Sequence, residues 1–290
     1  MNASLIKELR DISGAGMMDC KKALEENGND IKKATEWLRE KGIAKAAKKA
    51  GRIAAEGLST IIVEKNKAVI VEINCETDFV AKNEKFQNFL KEVAETILHS
   101  DAKTNEEALN LPCKEGTLND YVTNMTATIG EKISFRRFEL IEKTDDQNFG
   151  EYIHMGGKIS VLTLVDGASS EVAKDVSMHA AAMRPEYVKK EDVPTEELEK
   201  EKKILTEEAI KEGKPANIAE KIVMGRINKY YKEICLEEQD FVKDNSVTVS
   251  KYVANNGGKI VKVVRYEVGE GLEKRQDNFA EEVAAQMQGN

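Results

Sequence analysis

The chain has 290 residues, 41% of them apolar and 33% charged, with 44 Lys plus Arg against 52 Asp plus Glu and a net charge of -8. This is the composition of a globular chain long enough for two or three modules with separate cores, and its acidic balance argues against nucleic-acid binding over a broad face, which needs concentrated basic charge. No apolar run approaches the roughly 20 residues of a membrane-crossing helix; residues 1–10 are amphipathic and charged, unlike a signal peptide, so the expected compartment is the cytoplasm.

Residues 2–42 carry three short helical patterns, 4–12, 17–27 and 31–41. Met17, Cys20 and Leu24 fall on one face of the second, and Ile31, Ala34 and Leu38 on one face of the third. Asp30 suits the cap of the third, while Gly28 and Gly42 sit at helix-ending positions. Met17 and Met18 cannot easily both face one core, so one of them is a candidate soft contact for a partner, although a bundle core is the commoner fate of methionine. Gly14-Ala15-Gly16 follows a helix instead of a strand, which rejects it as a dinucleotide turn. Next, Lys41, Lys45, Lys48, Lys49 and Arg52 run with no acid among them. Such a segment is either a solvated helical linker or a phosphate-contacting patch.

Residues 58–63 and 68–73 are β-patterned around Glu64-Lys65-Asn66-Lys67, which predicts a hairpin. At residues 74–83 the pattern turns helical, with Phe86, Phe89, Leu90, Val93 and Ile97 on one face. Thr77 and Asp78 carry the oxygens an N-cap needs. Phe79 beside them either folds back as a staple or projects as a probe; cap chemistry alone favours the staple. After a helix to His99 come a polar stretch with Pro112 and Gly116, a helix over 118–128 and a strand over 133–141.

The second half repeats this plan: a strand over 157–165 ending at Asp166-Gly167, an amphipathic helix over 171–183 and a closing strand over 259–268. Lys132-Ile133 leading to Arg137-Phe138-Glu139 rhymes with Lys259-Ile260 leading to Arg265-Tyr266-Glu267. From Ile70 to Arg137 is 67 residues and from Val161 to Arg265 is 104, so the second copy holds about 37 more. Helical patterns over 195–212 and 216–234, joined at Gly213-Lys214-Pro215, account for the excess as an inserted antiparallel hairpin. Leu198, Leu205 and Ala209 should face Val223, Ile227, Tyr230 and Ile234, leaving outer faces that seek a partner. Residues 277–287 form a last short helix whose stripe, Phe279, Val283 and Met287, must dock to hold together.

The expected class is therefore α+β: an N-terminal three-helix bundle, a core of two repeated α/β subdomains with mainly antiparallel sheets, an inserted helical hairpin and a C-terminal helix. The expected divisions are residues 1–54, 55–141, 142–268 with the hairpin at 195–234, and 269–290.

Motifs for chemistry are absent: no Gly-x-Ser-x-Gly, no His-Glu-x-x-His, no phosphate-cradling Gly-rich loop and no paired cysteines. Cys20, Cys75, Cys113 and Cys235 are too scattered to signal a disulfide or a zinc site. His99, His154 and His179 suggest no metal cluster, and His179, inside an apolar helix, reads as a satisfied core histidine. The reading is a protein that is not an enzyme, with no catalytic residues, cofactor or metal.

Several stretches, spread from residue 13 to residue 271, resemble the elongation factor Ts family. They are Ser13-Gly14-Ala15-Gly16-Met17-Met18-Asp19-Cys20-Lys21-Lys22-Ala23-Leu24, Arg52-Ile53-Ala54-Ala55-Glu56-Gly57-Leu58, Cys75-Glu76-Thr77-Asp78-Phe79-Val80, Ile129-Gly130-Glu131 with Arg136-Arg137, Met178-His179-Ala180-Ala181 and Arg265-Tyr266-Glu267-Val268-Gly269-Glu270-Gly271. Ser13 stands where the family usually has Thr, and Ser160 where it usually has Gly. The resemblance implies a ubiquitin-associated-like N-terminal bundle. It also implies a guanine nucleotide exchange factor that binds the GTPase elongation factor Tu, GDP-bound and nucleotide-free, in protein synthesis. Thr77, Asp78, Phe79 and Val80 would then press against the GTPase and displace its Mg²⁺, with further contacts from Met17, Met18, Ile129, His154, Phe279, Val283 and Met287. Membrane binding and direct nucleic-acid binding are not expected; a homodimer through the hairpin, or a 2:2 complex, is a further candidate arrangement. The rival class is a ribosome- or RNA-associated adaptor, to which the basic segment 41–52 would belong.

Overall fold

The computed structural model describes residues 3–213 and 215–273. These divide into two compact units, one of residues 3–60, 71–140 and 267–273, the other of residues 61–70 and 141–266.

The first unit begins with helices α1 (Ala3–Ser13), α2 (Met17–Glu26) and α3 (Ile31–Ala47). Leu9, Cys20, Ala23, Leu24 and Ala34 bury one another as the core of this bundle. The Ser13 hydroxyl donates to the Leu9 carbonyl and accepts the Ala15 amide, so serine serves the turn after α1. Asp30 caps α3 by accepting the Lys33 N–H, as expected. Gly42, however, does not end the helix. It is buried at the crossing of α3 with α7 (Leu118–Ile129), where a Cβ would stand 3.2 Å from that of Ala127. The glycine is there for close packing, and α3 runs on to Ala47.

Strands β1 (Glu56–Glu64) and β2 (Lys67–Cys75) form the expected hairpin, with Lys65 at φ 54 in its turn. A four-residue helix α4 (Asp78–Ala81) leads to α5 (Glu84–Leu98). On α5 the anticipated face is buried: Phe86, Phe89, Leu90, Val93 and Ile97, each worth roughly 1.5–3 kcal/mol removed from water. The Phe89 ring meets Tyr121 edge-on at 4.7 Å. The polar stretch is more structured than its composition suggests, holding α6 (Asn105–Leu109) and a minimal hairpin of β3 (Pro112–Cys113) and β4 (Gly116–Thr117). Thr117 and Asp120 then close a capping box on α7, and β5 (Ser134–Glu142) follows.

The second unit, to which residues 61–70 also belong, continues with β6 (Gln147–His154), a strand the sequence pattern does not announce, paired antiparallel with β7 (Ile159–Asp166) from Gln147↔Asp166 to His154↔Ile159. Helix α8 (Ser170–Met183) packs Val172, Ala173, Val176 and Ala180 into the core, and Ser177 donates to the Gly150 carbonyl. Ser160 is fully buried in β7 opposite Ile153, so it fits the strand. Helices α9 (Thr195–Lys211) and α10 (Ala216–Ile234) form the hairpin, with Ala209 and Ile227 buried and Arg226 held by Glu208 and Glu212. Leu198 and Tyr230 pack with Ile234 as expected, and the Tyr187 and Tyr230 hydroxyls both donate to Glu197. Strands β8 (Asp240–Phe241) and β9 (Asp244–Thr248), helix α11 (Val249–Asn255) and strand β10 (Lys259–Glu267) complete the unit.

The class is α+β, and the repeat is visible in the two main sheets, ordered β1-β2-β5 and β6-β7-β10. Each is a hairpin whose second strand also pairs with a closing strand arriving after a helical excursion. No helix of the described residues is long and apolar enough to cross a membrane.

His179 is fully buried on α8, where Nε2 donates to Gln239 at 2.9 Å and Nδ1 accepts the Val242 N–H at 3.1 Å. The neutral ring thus satisfies both nitrogens, and burial holds its pKa below the ordinary value near 6.5, opposed in part by Gln239. The unfolded chain takes up this proton first, so the stability it confers is complete above about pH 6.5 and drains away as pH falls toward the lowered folded value. Denaturant midpoints should therefore decline as pH falls below about 6.5 in the wild type and less in His179→Gln. Parallel declines would show that carboxylates alone set the acid limb.

Candidate functional site

β2 delivers the chain, fully buried up to Asn74 and Cys75, to the edge of the first unit at Glu76. Thr77 is the N-cap of α4, its hydroxyl accepting the Val80 N–H at 3.3 Å. Asp78 is not a cap but the first helical residue, and its carboxylate receives Lys82 Nζ at 2.6 Å. Ala81 turns inward and is buried, Asn83 caps α5 by accepting the Lys85 N–H, and Phe79 is left 80% exposed.

This overturns the staple. A staple joins the residue before the cap to the fourth helical residue. With caps at Thr77 and Asn83 those pairs are Glu76 with Ala81 and Lys82 with Gln87, neither of them two hydrophobes, and Phe79 lies outside both.

The base of this turn is tied to the end of α7. Glu131 accepts the Thr77 N–H at 3.0 Å and its hydroxyl at 2.7 Å, and Glu76 accepts the Lys132 N–H at 2.6 Å. Ile129, half-buried, is the last residue of α7, and Gly130 follows it at φ 88. The basic segment joins the same framework: Lys49 donates to the Gly130 carbonyl at 2.6 Å, Arg52 pairs with Glu76 at 3.3 Å, Lys45 pairs with Asp19 at 2.9 Å, and Lys41 lies over Trp37. Four of its five cations thus face protein groups. As exposed pairs each is worth at most about 1 kcal/mol.

Behind the turn lies a buried carboxylate. Glu72, fully buried on β2, accepts Arg136 Nη1 at 2.8 Å and Arg137 Nε at 2.6 Å, together with Asn74 and the Gly269 N–H at 3.0 Å. Arg136 also donates to the Glu270 carbonyl. Sequence reasoning marked Arg136-Arg137 and Gly269-Glu270 as motif residues but not Glu72, whose arginine and Gly269 partners are 64 to 197 positions distant.

Met17 and Met18 are both exposed, at 59% and 72%, on the first turn of α2. Met17 therefore leaves the core face that the spacing gave it, which Cys20, Ala23 and Leu24 fill instead. In the second unit, exposed His154 ends β6 with its ring stacked on Tyr152 and Nδ1 3.2 Å from the tyrosine hydroxyl. Phe279, Val283 and Met287 lie outside the described residues.

The family model described as elongation factor TS matches residues 76–270, more than half of the chain. The match opens on the glutamate that anchors the exposed turn and closes on the residue whose carbonyl Arg136 binds. The chain belongs to the elongation factor Ts family, the nucleotide exchange factors of translation elongation.

Proposed function

We propose that the protein binds elongation factor Tu in its GDP-bound and nucleotide-free states and speeds GDP release by inserting the turn Thr77-Asp78-Phe79-Val80 beside the nucleotide. The observation that carries this reading is Phe79, a large apolar side chain 80% exposed on a turn whose base is fixed by two carboxylates. An exposed aromatic on a rigid base can enter a partner without first being ordered, so its burial energy is free to distort the partner.

The Mg²⁺ concerned is the partner's. A Mg²⁺ site demands near-ideal octahedral geometry, so a small helix shift driven by Phe79, with Asp78 near the displaced ligands, costs the nucleotide much affinity. Reciprocity then governs the cycle: a factor that weakens nucleotide binding is weakened by nucleotide to the same degree, so GTP expels it. No bond is made or broken in this work, and it needs no cofactor. Met17, Met18, Ile129 and His154, together with Phe279, Val283 and Met287, would add docking area. The hairpin, inserted in the second repeat, would serve a homodimer or a 2:2 complex through Ile204, Ile210 and Met224, which are exposed.

The direct test is release of fluorescent GDP from purified elongation factor Tu by sub-stoichiometric amounts of this protein. Acceleration with turnover is expected; an unchanged rate would refute the proposal. An RNA adaptor would instead bind RNA with an affinity falling steeply as salt rises. The internal pairing of Lys41, Lys45, Lys49 and Arg52 weighs against that rival.

A further inference from the structure

The exposed turn and the end of α7 exchange hydrogen bonds in both directions. The Glu131 carboxylate takes the Thr77 amide, and the Glu76 carboxylate takes the Lys132 amide, so neighbours in one turn clasp neighbours in the other across 54 to 56 positions of chain. The Thr77 hydroxyl makes this more than a clamp on backbone. Its single proton goes to Glu131 Oε1 at 2.7 Å, which leaves a lone pair for the amide of Val80, the residue after Phe79. Glu131 thereby sets the rotamer of the cap that sets the start of α4, and α4 sets where Phe79 points. A hydroxyl without that acceptor is free to rotate away from Val80.

We propose that Glu131 is a positioning residue for exchange: it touches no partner itself and acts by holding Phe79 in the inserting pose. This rests on the reading of the Phe79 turn given above. Preorganisation of this kind acts on the step that needs geometry, because a side chain out of place by about 1 Å loses most of its effect even when its docking area is intact.

The test measures GDP release from elongation factor Tu across a range of factor concentrations for full-length wild type, Phe79→Ala, Glu131→Ala and the double variant. Glu131→Ala is expected to lower the maximal rate about tenfold, the worth of a charge-assisted hydrogen bond, with the half-saturating concentration changed far less. The double variant should be no slower than Phe79→Ala alone, since without the aromatic there is nothing left to position. Thr77→Ser keeps both donors and should behave as wild type, whereas Thr77→Val keeps the shape, loses the hydroxyl and should be slowed. Amide exchange at Thr77 and Val80, whose N–H groups the clasp and the cap hold, should quicken in Glu131→Ala.

If Glu131→Ala lowers melting enough to obscure the rates, Thr77→Val carries the same comparison with Phe79→Ala. Slowing that multiplies in the double variant would overturn the proposal, as would a normal maximal rate for Glu131→Ala when Phe79→Ala is slow. Normal release by Phe79→Ala would instead overturn the reading of the turn, and the role of Glu131 with it.

Discussion

Replacing Phe79 with alanine is expected to slow maximal GDP release about ten- to a hundredfold while leaving the melting transition of the free protein in place. The two halves of the result have separate origins. In the free protein the ring is 80% exposed, so its removal takes little apolar surface out of any core, and surface substitutions of that kind stay within about 0.5 kcal/mol. A buried aromatic would cost roughly 3–5 kcal/mol. In the complex the same ring would leave water for roughly 1.5–3 kcal/mol. Each 1.4 kcal/mol is a factor of ten, which gives about ten- to a hundredfold if that energy is directed at distortion. Melting and release measured on one preparation decide the matter. A large fall in melting would restore the staple, and a normal melt with normal release would remove Phe79 from both roles.

The largest effect on stability is expected from Glu72→Ala. This carboxylate is wholly buried and holds two guanidinium groups and a backbone amide, so truncation leaves donors without their acceptor. Breaking a buried pair from one side costs about 3–5 kcal/mol. For a unit of this size that is a fall of about 6–20 °C in melting temperature. Arg136 and Arg137 keep 19% and 29% of their side-chain surface, so water can recover part of the loss and the lower half of the range is the expected one. Glu72→Gln keeps an acceptor and should cost less, as neutral hydrogen bonds are worth about half of charge-assisted ones. A Glu72→Ala protein that melts within 1 °C of wild type would mean that the cluster contributes no net stability.

The difference between what the sequence made legible and what it hid follows the range of the forces involved. Periodicity located α5 and its buried face, the hairpin of β1 and β2, and the facing residues of α9 and α10, because each is a local pattern summed over many side chains. β6 escaped because Phe149, Tyr152 and Ile153 do not alternate and Gly150 interrupts them. That glycine is required by α8, since a Cβ there would stand 2.1 Å from the Ala173 carbonyl carbon. Gly42 misled for the same reason, its meaning lying in a helix 85 positions away. At the site, Phe79 was legible as a choice between two fates, and the choice turned on which residues cap α4 and α5. Glu131 could not be singled out from spacing among 52 acids, although it lay within a motif that the family resemblance had marked.

The Glu72 cluster also bears on how the protein is made. Ribosomes release a chain from its N-terminus, and domains ordinarily fold as units while synthesis continues. Here Glu72 is synthesised early, but the amide it accepts from Gly269 comes 197 positions later. Until that glycine emerges, the nascent first unit carries a side chain whose donor set is incomplete. Closing so long a loop adds only a slowly growing entropic cost, so the delay is one of order in time more than of energy. The first unit, although it contains the N-terminus, is therefore completed last, after the second unit has its whole sequence.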